Sequence, residues 1–230
     1  MENTHLGKAS PYIQEYAPEL LVAIERAPIR AKLGINTQGM HGVDIWNHWE
    51  VSYLDSTGKP QIASLSISYD ALSTAIVESK SLKLYFNSLN QSAFESTEKM
   101  LLQVKSDLTA IIGSEVYIEA LNEQCLDTSW VADYDCIDEI EATFTAYSPA
   151  PEYLSTVDEQ VSESLCSHLF KTNCMVTGQP DWASVFIKYS GAKINHQGLL
   201  QYLVSFRNHQ AFHEPSCEMI FSDLMRLCKP

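Results

Sequence analysis

Between Ala63 and Ser68 apolar and serine residues alternate strictly, Ala63, Leu65 and Ile67 against Ser64, Ser66 and Ser68. A period of two is the signature of a strand with one buried face. Upstream, Val43, Ile45, Trp49, Val51 and Tyr53 alternate with mostly polar partners, and Asp55-Ser-Thr-Gly58-Lys-Pro60 between the two runs reads as a turn. Together they predict a long antiparallel hairpin. Two helices are predicted next, one over roughly 79–89. The other carries Leu101, Val104, Leu108, Ile111 and Ile112 at helical spacing and ends at Gly113. Val116, Ile118 and Ala120 then mark another strand.

A similar order begins again downstream. Ala142–Tyr147 and the stretch from Leu169 through Thr177 read as extended, and Val185, Ile187 and Tyr189 alternate as a strand does. Helices are predicted at about 197–209 and 217–227, the latter with Cys217, Ile220, Phe221, Leu224 and Cys228 along one side. Repetition of a unit this size predicts two related halves. The connecting region, 121–160, is rich in Asp, Glu, Ser and Pro and holds the boundary, placed between a module over residues 1–125 and one over 126–230. The expected class is α+β, with helices segregated to one face of antiparallel sheets.

Charge narrows the partners. The 29 Asp and Glu against 15 Lys and Arg give a formal net charge of −14. With no basic cluster to offset it, direct binding of nucleic acid is not expected, because that affinity rests on neutralising phosphates. No apolar run approaches the roughly 18 residues of a membrane span, and Met1–Lys8 has no apolar leader core, so a cytoplasmic location is expected. Six cysteines, at 125, 136, 166, 174, 217 and 228, include no Cys-x-x-Cys pair. Cys217 and Cys228 are expected in the core, as are Trp46, Trp49 and Trp130. Cys166 with His168, and His41 with His48, match no ligand spacing, so no metal is expected. There is also no Gly-x-Gly-x-x-Gly for a dinucleotide.

Cys174 differs from the other thiols because polar and turn-forming residues follow it at once, in Asn173-Cys-Met-Val-Thr-Gly-Gln-Pro-Asp181-Trp182. A thiol and a carboxylic acid within reach of each other can attack an electrophile and protonate what the attack makes basic. The same residues also read as a strand-core cysteine and a turn residue after Pro180. Two further segments stand out, Glu78-Ser-Lys-Ser-Leu-Lys83 and Phe212-His213-Glu214. Taken alone, the first is a lysine face on a helix and the second an acidic helix start.

At these three segments the chain resembles the 7-cyano-7-deazaguanine reductases, the NADPH-dependent nitrile reductases of queuosine synthesis, in their long two-module form and from about Leu6 to Pro230. The resemblance implies tandem tunnelling-fold (T-fold) modules, whose sheets join across subunits, hence a homodimer. It implies Cys174 as the nucleophile that adds to the nitrile, giving a thioimide, and Asp181 as the proton donor. Val77, Glu78, Ser79, Phe212, His213 and Glu214 would hold the small 7-deazapurine, and Ser79 and Lys80 would contact NADPH. The second half ends at Cys228-Lys229-Pro230 directly after its helices, so the resemblance also implies that this module lacks its final strands and an Arg-Gly cofactor segment. Two other functions fit parts of the pattern: a purine-binding remnant without turnover, and a pterin or purine cyclohydrolase.

Overall fold

Residues 13, 15–121 and 128–230 are described by the structure, a computed structural model. Cys125, the expected boundary at 125/126 and the Met1–Lys8 segment lie outside the described residues. The chain divides into two compact units, Met1–Lys32 with Thr37–Leu126 and Leu33–Asn36 with Asp127–Pro230.

The first unit opens with a short strand, β1 (Ala23–Glu25), and a helix, α1 (Arg26–Leu33, which runs one residue into the second unit). The predicted hairpin follows as β2 (Val43–Leu54) and β3 (Pro60–Asp70). Its turn is organised by Asp55, whose carboxylate accepts from the amides of Thr57 and Lys59 and the hydroxyl of Thr57. A three-residue strand, β4 (Ala75–Val77), pairs with β1, and α2 (Ser79–Ser88) and α3 (Thr97–Ile112) come next. β5 (Val116–Ala120) then adds to the outer edge of β3, giving the order β2-β3-β5. Leu65, Ile67 and Tyr69 from the sheet meet Tyr85, Phe86, Met100, Val104 and Leu108 from the helices in one buried cluster.

One part of the sequence reading is corrected here. Val43, Ile45 and Trp49 are exposed, whereas Trp46 and His48 point inward with Val51 and Tyr53. The cause is a bulge between His48 and Val51, which inserts a residue and exchanges the two faces of β2. Trp46 packs against the core and donates to the Tyr69 hydroxyl at 2.9 Å, as a half-buried indole should.

The second unit contains β6 (Asp135–Cys136), β7 (Thr156–Asn173), β8 (Pro180–Ile194), α4 (His196–Ser205) and α5 (His213–Leu227), with sheet order β6-β7-β8. Again a hairpin precedes two helices. Four expectations change. β7 starts at Thr156, inside the presumed connecting region, and ends at Asn173, after which residues 175–177 turn. Ala142–Tyr147 belongs to no ladder; it is tied to the helical layer instead, through Thr143 O to Gln201 and Tyr147 O to Asn208. α4 stops at Ser205, followed by a 3-10 turn, Phe206–Asn208. Finally, β6 runs parallel to β7, so this sheet is not wholly antiparallel. Trp130 and Cys217 are exposed, while Cys228 is buried as expected. Among the described residues no helix is long and apolar enough to cross a membrane.

Two local devices fix the helix ends of the first unit. Glu78 is 1 % exposed and caps α2, accepting from Lys80 N at 2.9 Å and Ser81 N at 2.7 Å. Gly113 ends α3 at φ 71°, and a Cβ there would lie 2.3 Å from the Thr74 hydroxyl, which itself donates to Ile112 O. Glu78→Ala is expected to lower unfolding stability in urea by about 1–2 kcal/mol, with Glu78→Gln recovering part of the loss. Gly113→Ala should cost roughly 2 kcal/mol, more than Gly58→Ala at a similarly positive φ with open space around it. Equal losses at the two glycines would show that Thr74 moves aside without cost.

Candidate active site

The tip of the β7–β8 hairpin is built by register. Thr172 lies opposite Asp181, and Asn173 opposite Pro180. Beyond the last pair, Cys174 N donates to Gln179 O at 2.8 Å and Gly178 N donates to Cys174 O at 3.0 Å, closing a tight turn. Gly178 makes this possible at φ 69°. Directly opposed residues share a face, and so do residues two apart on a strand. Thr172 and Asp181 therefore project to the same side, with Cys174 the next position along it. That side is the one packed by α4 and α5, since Phe170 and Ala183, the pair below, join the core under those helices.

The three groups differ in environment. Cys174 is 9 % exposed, Asp181 is half-buried, and Thr172 is fully buried. The Thr172 hydroxyl has no hydrogen-bond partner, a state that costs of order 1–3 kcal/mol when nothing compensates it. The sequence reading missed this residue. Its signal was position alone, two residues before Cys174 on the same strand.

A second chain segment is clipped to the same tip. Asn173 N donates to His209 O at 2.8 Å, and Ala211 N donates to Asn173 O at 3.2 Å, forming an isolated parallel bridge between Asn173 and Gln210. Lys171 reinforces it from Nζ to Arg207 O at 2.7 Å and to Asn173 Oδ1 at 2.6 Å. Phe212, His213 and Glu214 follow immediately. The structure thus brings these three residues beside the residue that precedes Cys174. The last helix begins ahead of the predicted 217: His213 and Glu214 form the first turn of α5, with Phe212 at its cap. A helix start favours the Glu214 charge and aims it by backbone geometry. His213 is exposed and borders a groove of about 460 Å³ between β8 and α5, walled by Phe170, Val185, Ile187 and Leu224. Cys174 and Asp181 do not line that mostly apolar groove.

In the first unit, β4 leads directly into the other predicted segment. Glu78 N donates to Val22 O, which prolongs the β1–β4 ladder, and Val77 is buried within it. Because both Glu78 oxygens accept from the start of α2, its carboxylate is held in one orientation with lone pairs remaining. Ser79 and Lys80 are half-buried and Lys83 is exposed on the same helix start. His48 stacks on Phe86 with centroids 4.2 Å apart. Burial chiefly, and the Lys83 charge in addition, hold His48 below its ordinary pKa against the pull of Glu50. A hydroxyl with two ammonium groups is a donor set that suits a phosphate. The amides of Lys80 and Ser81, already engaged by Glu78, are not part of it.

Comparison with known proteins gives the family. Residues 12–120 match the family model described as nitrile reductase, 7-cyano-7-deazaguanine-reductase N-term, and residues 180–230 match that of a QueF-like protein. An NADPH-dependent 7-cyano-7-deazaguanine reductase of Legionella pneumophila is 48 % identical over 99 % of this chain and 81 % of its own length. Proteins of the same name from Cupriavidus metallidurans and Chromobacterium violaceum are 45 % and 42 % identical over the whole of this chain, and over 85 % and 84 % of their own lengths. Matches of this extent span the Glu78, Cys174 and His213 segments together, and the chain belongs to the NADPH-dependent 7-cyano-7-deazaguanine reductase family.

Proposed function

We propose that the tip of the β7–β8 hairpin carries the reduction of the nitrile of 7-cyano-7-deazaguanine to an aminomethyl group, at the expense of two NADPH, in queuosine biosynthesis. What supports the assignment of roles above all is the shared face of Thr172, Cys174 and Asp181 beside the clipped start of α5. Cys174 adds as thiolate to the nitrile carbon, and the C≡N bond becomes a C=N bond in a thioimide. Asp181 protonates the nitrogen as that bond is consumed, which requires its acid form before the step. NADPH held by Ser79 and Lys80 would supply the two hydrides that the carbon accepts. When the carbon becomes tetrahedral after the first, the C–S bond breaks and the sulfur leaves as the Cys174 thiolate, giving an imine; the second hydride goes to the imine carbon as the nitrogen takes a second proton, which gives the aminomethyl group. Burial of Cys174 and Thr172 keeps water from that imine.

Glu214 accepts two N–H bonds from the 2-amino-pyrimidinone edge, His213 positions the ring or relays a proton, and Phe212 covers it. At the start of α2, Glu78 offers a further carboxylate to the base with Val77 and Ser79 beside it, and Ser79 and Lys80 meet the NADPH phosphates. The two units are read as tandem T-fold modules, and the working form as a cytoplasmic homodimer.

Cys174→Ala is expected to reduce NADPH oxidation to background, a loss of at least about 10³-fold. Mixed with the nitrile in the absence of NADPH, wild-type protein should gain one substrate mass and the variant none. An adduct on the variant would remove Cys174 from its role. Glu214→Ala should raise the KM for the nitrile by about tenfold or more, roughly 1.4 kcal/mol of lost binding, and leave the KM for NADPH nearly unchanged. A rise in the NADPH KM alone would refute its contact with the base.

A further inference from the structure

Away from the hairpin tip, a cluster of soft ligands lies on the other face of the same strand. Cys136 on β6 is the parallel partner of Cys166 on β7, and His168 follows two residues on. The two sulfurs and one nitrogen of these side chains all lie within 4.8 Å of one another, with Cys166 Sγ 3.9 Å from His168 Nε2. Sequence spacing hid the set, because thirty residues separate Cys136 from Cys166 and only the parallel pairing unites them.

We propose that Cys136, Cys166 and His168 form a binding site for one borderline-soft divalent metal ion, of which Zn2+ is the natural occupant. Two thiolates and an imidazole are the ligand types that select such an ion. His168 is already oriented for it. Its Nδ1 is 2.7 Å from the Ser184 hydroxyl, and its Nε2 is the nitrogen turned to the sulfurs. Asp138 anchors the strand beneath, accepting from Ser167 Oγ at 2.6 Å and His168 N at 2.9 Å. The corner is acidic, with Asp135 and Asp138 flanking Cys136 in the sequence, and a dication offsets that charge. Binding releases two thiol protons, one from each cysteine, forms two metal–sulfur bonds and one metal–nitrogen bond, and leaves a fourth position to water. The ion would pin β6, whose ladder is only two residues long, and with it the preceding 3-10 turn, Ser129–Asp133, where Trp130 stacks edge-on to Phe186.

The site is distinct from the catalytic thiol. Cys166 and Cys174 are eight residues apart on one extended chain, roughly 25 Å at strand rise, and they face opposite sides of the sheet. Reduced, chelator-treated protein should therefore be titrated with Co2+. One equivalent is expected to bind, with the visible bands of tetrahedral cobalt and a near-ultraviolet sulfur-to-cobalt transition, and Zn2+ should displace it. Cys136→Ser, at an exposed position that leaves the fold intact, should weaken Co2+ binding by about 100-fold or more, as should His168→Ala. Cys174→Ala should bind as wild type does, and Zn2+ should raise the melting temperature of wild type but not of Cys136→Ser. A cobalt spectrum without the sulfur transition, or binding unchanged by Cys136→Ser, or loss of the signal in Cys174→Ala, would each overturn the proposal.

Discussion

The second unit of this protein depends on the backbone of one residue, Asn173. It closes the β7–β8 hairpin opposite Pro180, and on its other edge it exchanges two hydrogen bonds with His209 and Ala211. Each such bond contributes about 1 kcal/mol net, so the clip alone could not hold the segment against chain entropy. What makes it firm is the core directly beneath. Phe170 meets Phe206, Tyr202 meets Phe206, and the Tyr202 hydroxyl donates to the buried Asp223 carboxylate, which ties α4 to α5. Residues 207–211 are thereby stretched between two fixed points. Two segments distant in sequence, the hairpin and the start of α5, meet at the tip as a consequence.

How much of this was legible in the sequence follows from what each signal measures. The alternation of Ala63–Ser68, the helix from 79 and the stop at Gly113 are local, and each element appears where its residues predict it. The reading of β2 failed at Val43, Ile45 and Trp49 because a bulge is one extra residue, invisible to a count of apolar positions. The start of α5 was missed because Phe212-His213-Glu214 carries no Ser, Thr, Asp or Asn at the cap position, and no side-chain cap is made there. Of the candidate site, Cys174, Asp181 and the His213–Glu214 pair were found through a family's pattern. Thr172 and Cys136 needed strand register, a non-local quantity that no window of sequence contains.

The two acidic residues at helix starts show one sequence type put to different use. Glu78 is buried and spends an oxygen on each of two amides, so its first duty is to begin α2. Glu214 sits in the first turn of α5, half-buried, where the helix field favours its charge without the side chain closing the helix end.

A second bulge, between Ser167 and Phe170, turns two cysteines of the β7 segment to opposite faces of the sheet. Cys166, Phe170, Thr172 and Cys174 are all even-numbered, and in a regular strand they would share a face. Ahead of the bulge it is Leu165 and Ser167 that lie against the helices, and Cys166 turns away beside Phe186; past it, Phe170 and Thr172 take the inner side. The inserted residue therefore separates Cys136, Cys166 and His168 from Cys174 by the thickness of the sheet. Without it, either Cys174 would turn away from the helices or the Cys166 side chain would crowd the core under α4. The same device divides β2 at His48, where it turns the ring toward Phe86 and Lys83. In each unit the first hairpin strand thus changes face once along its buried stretch.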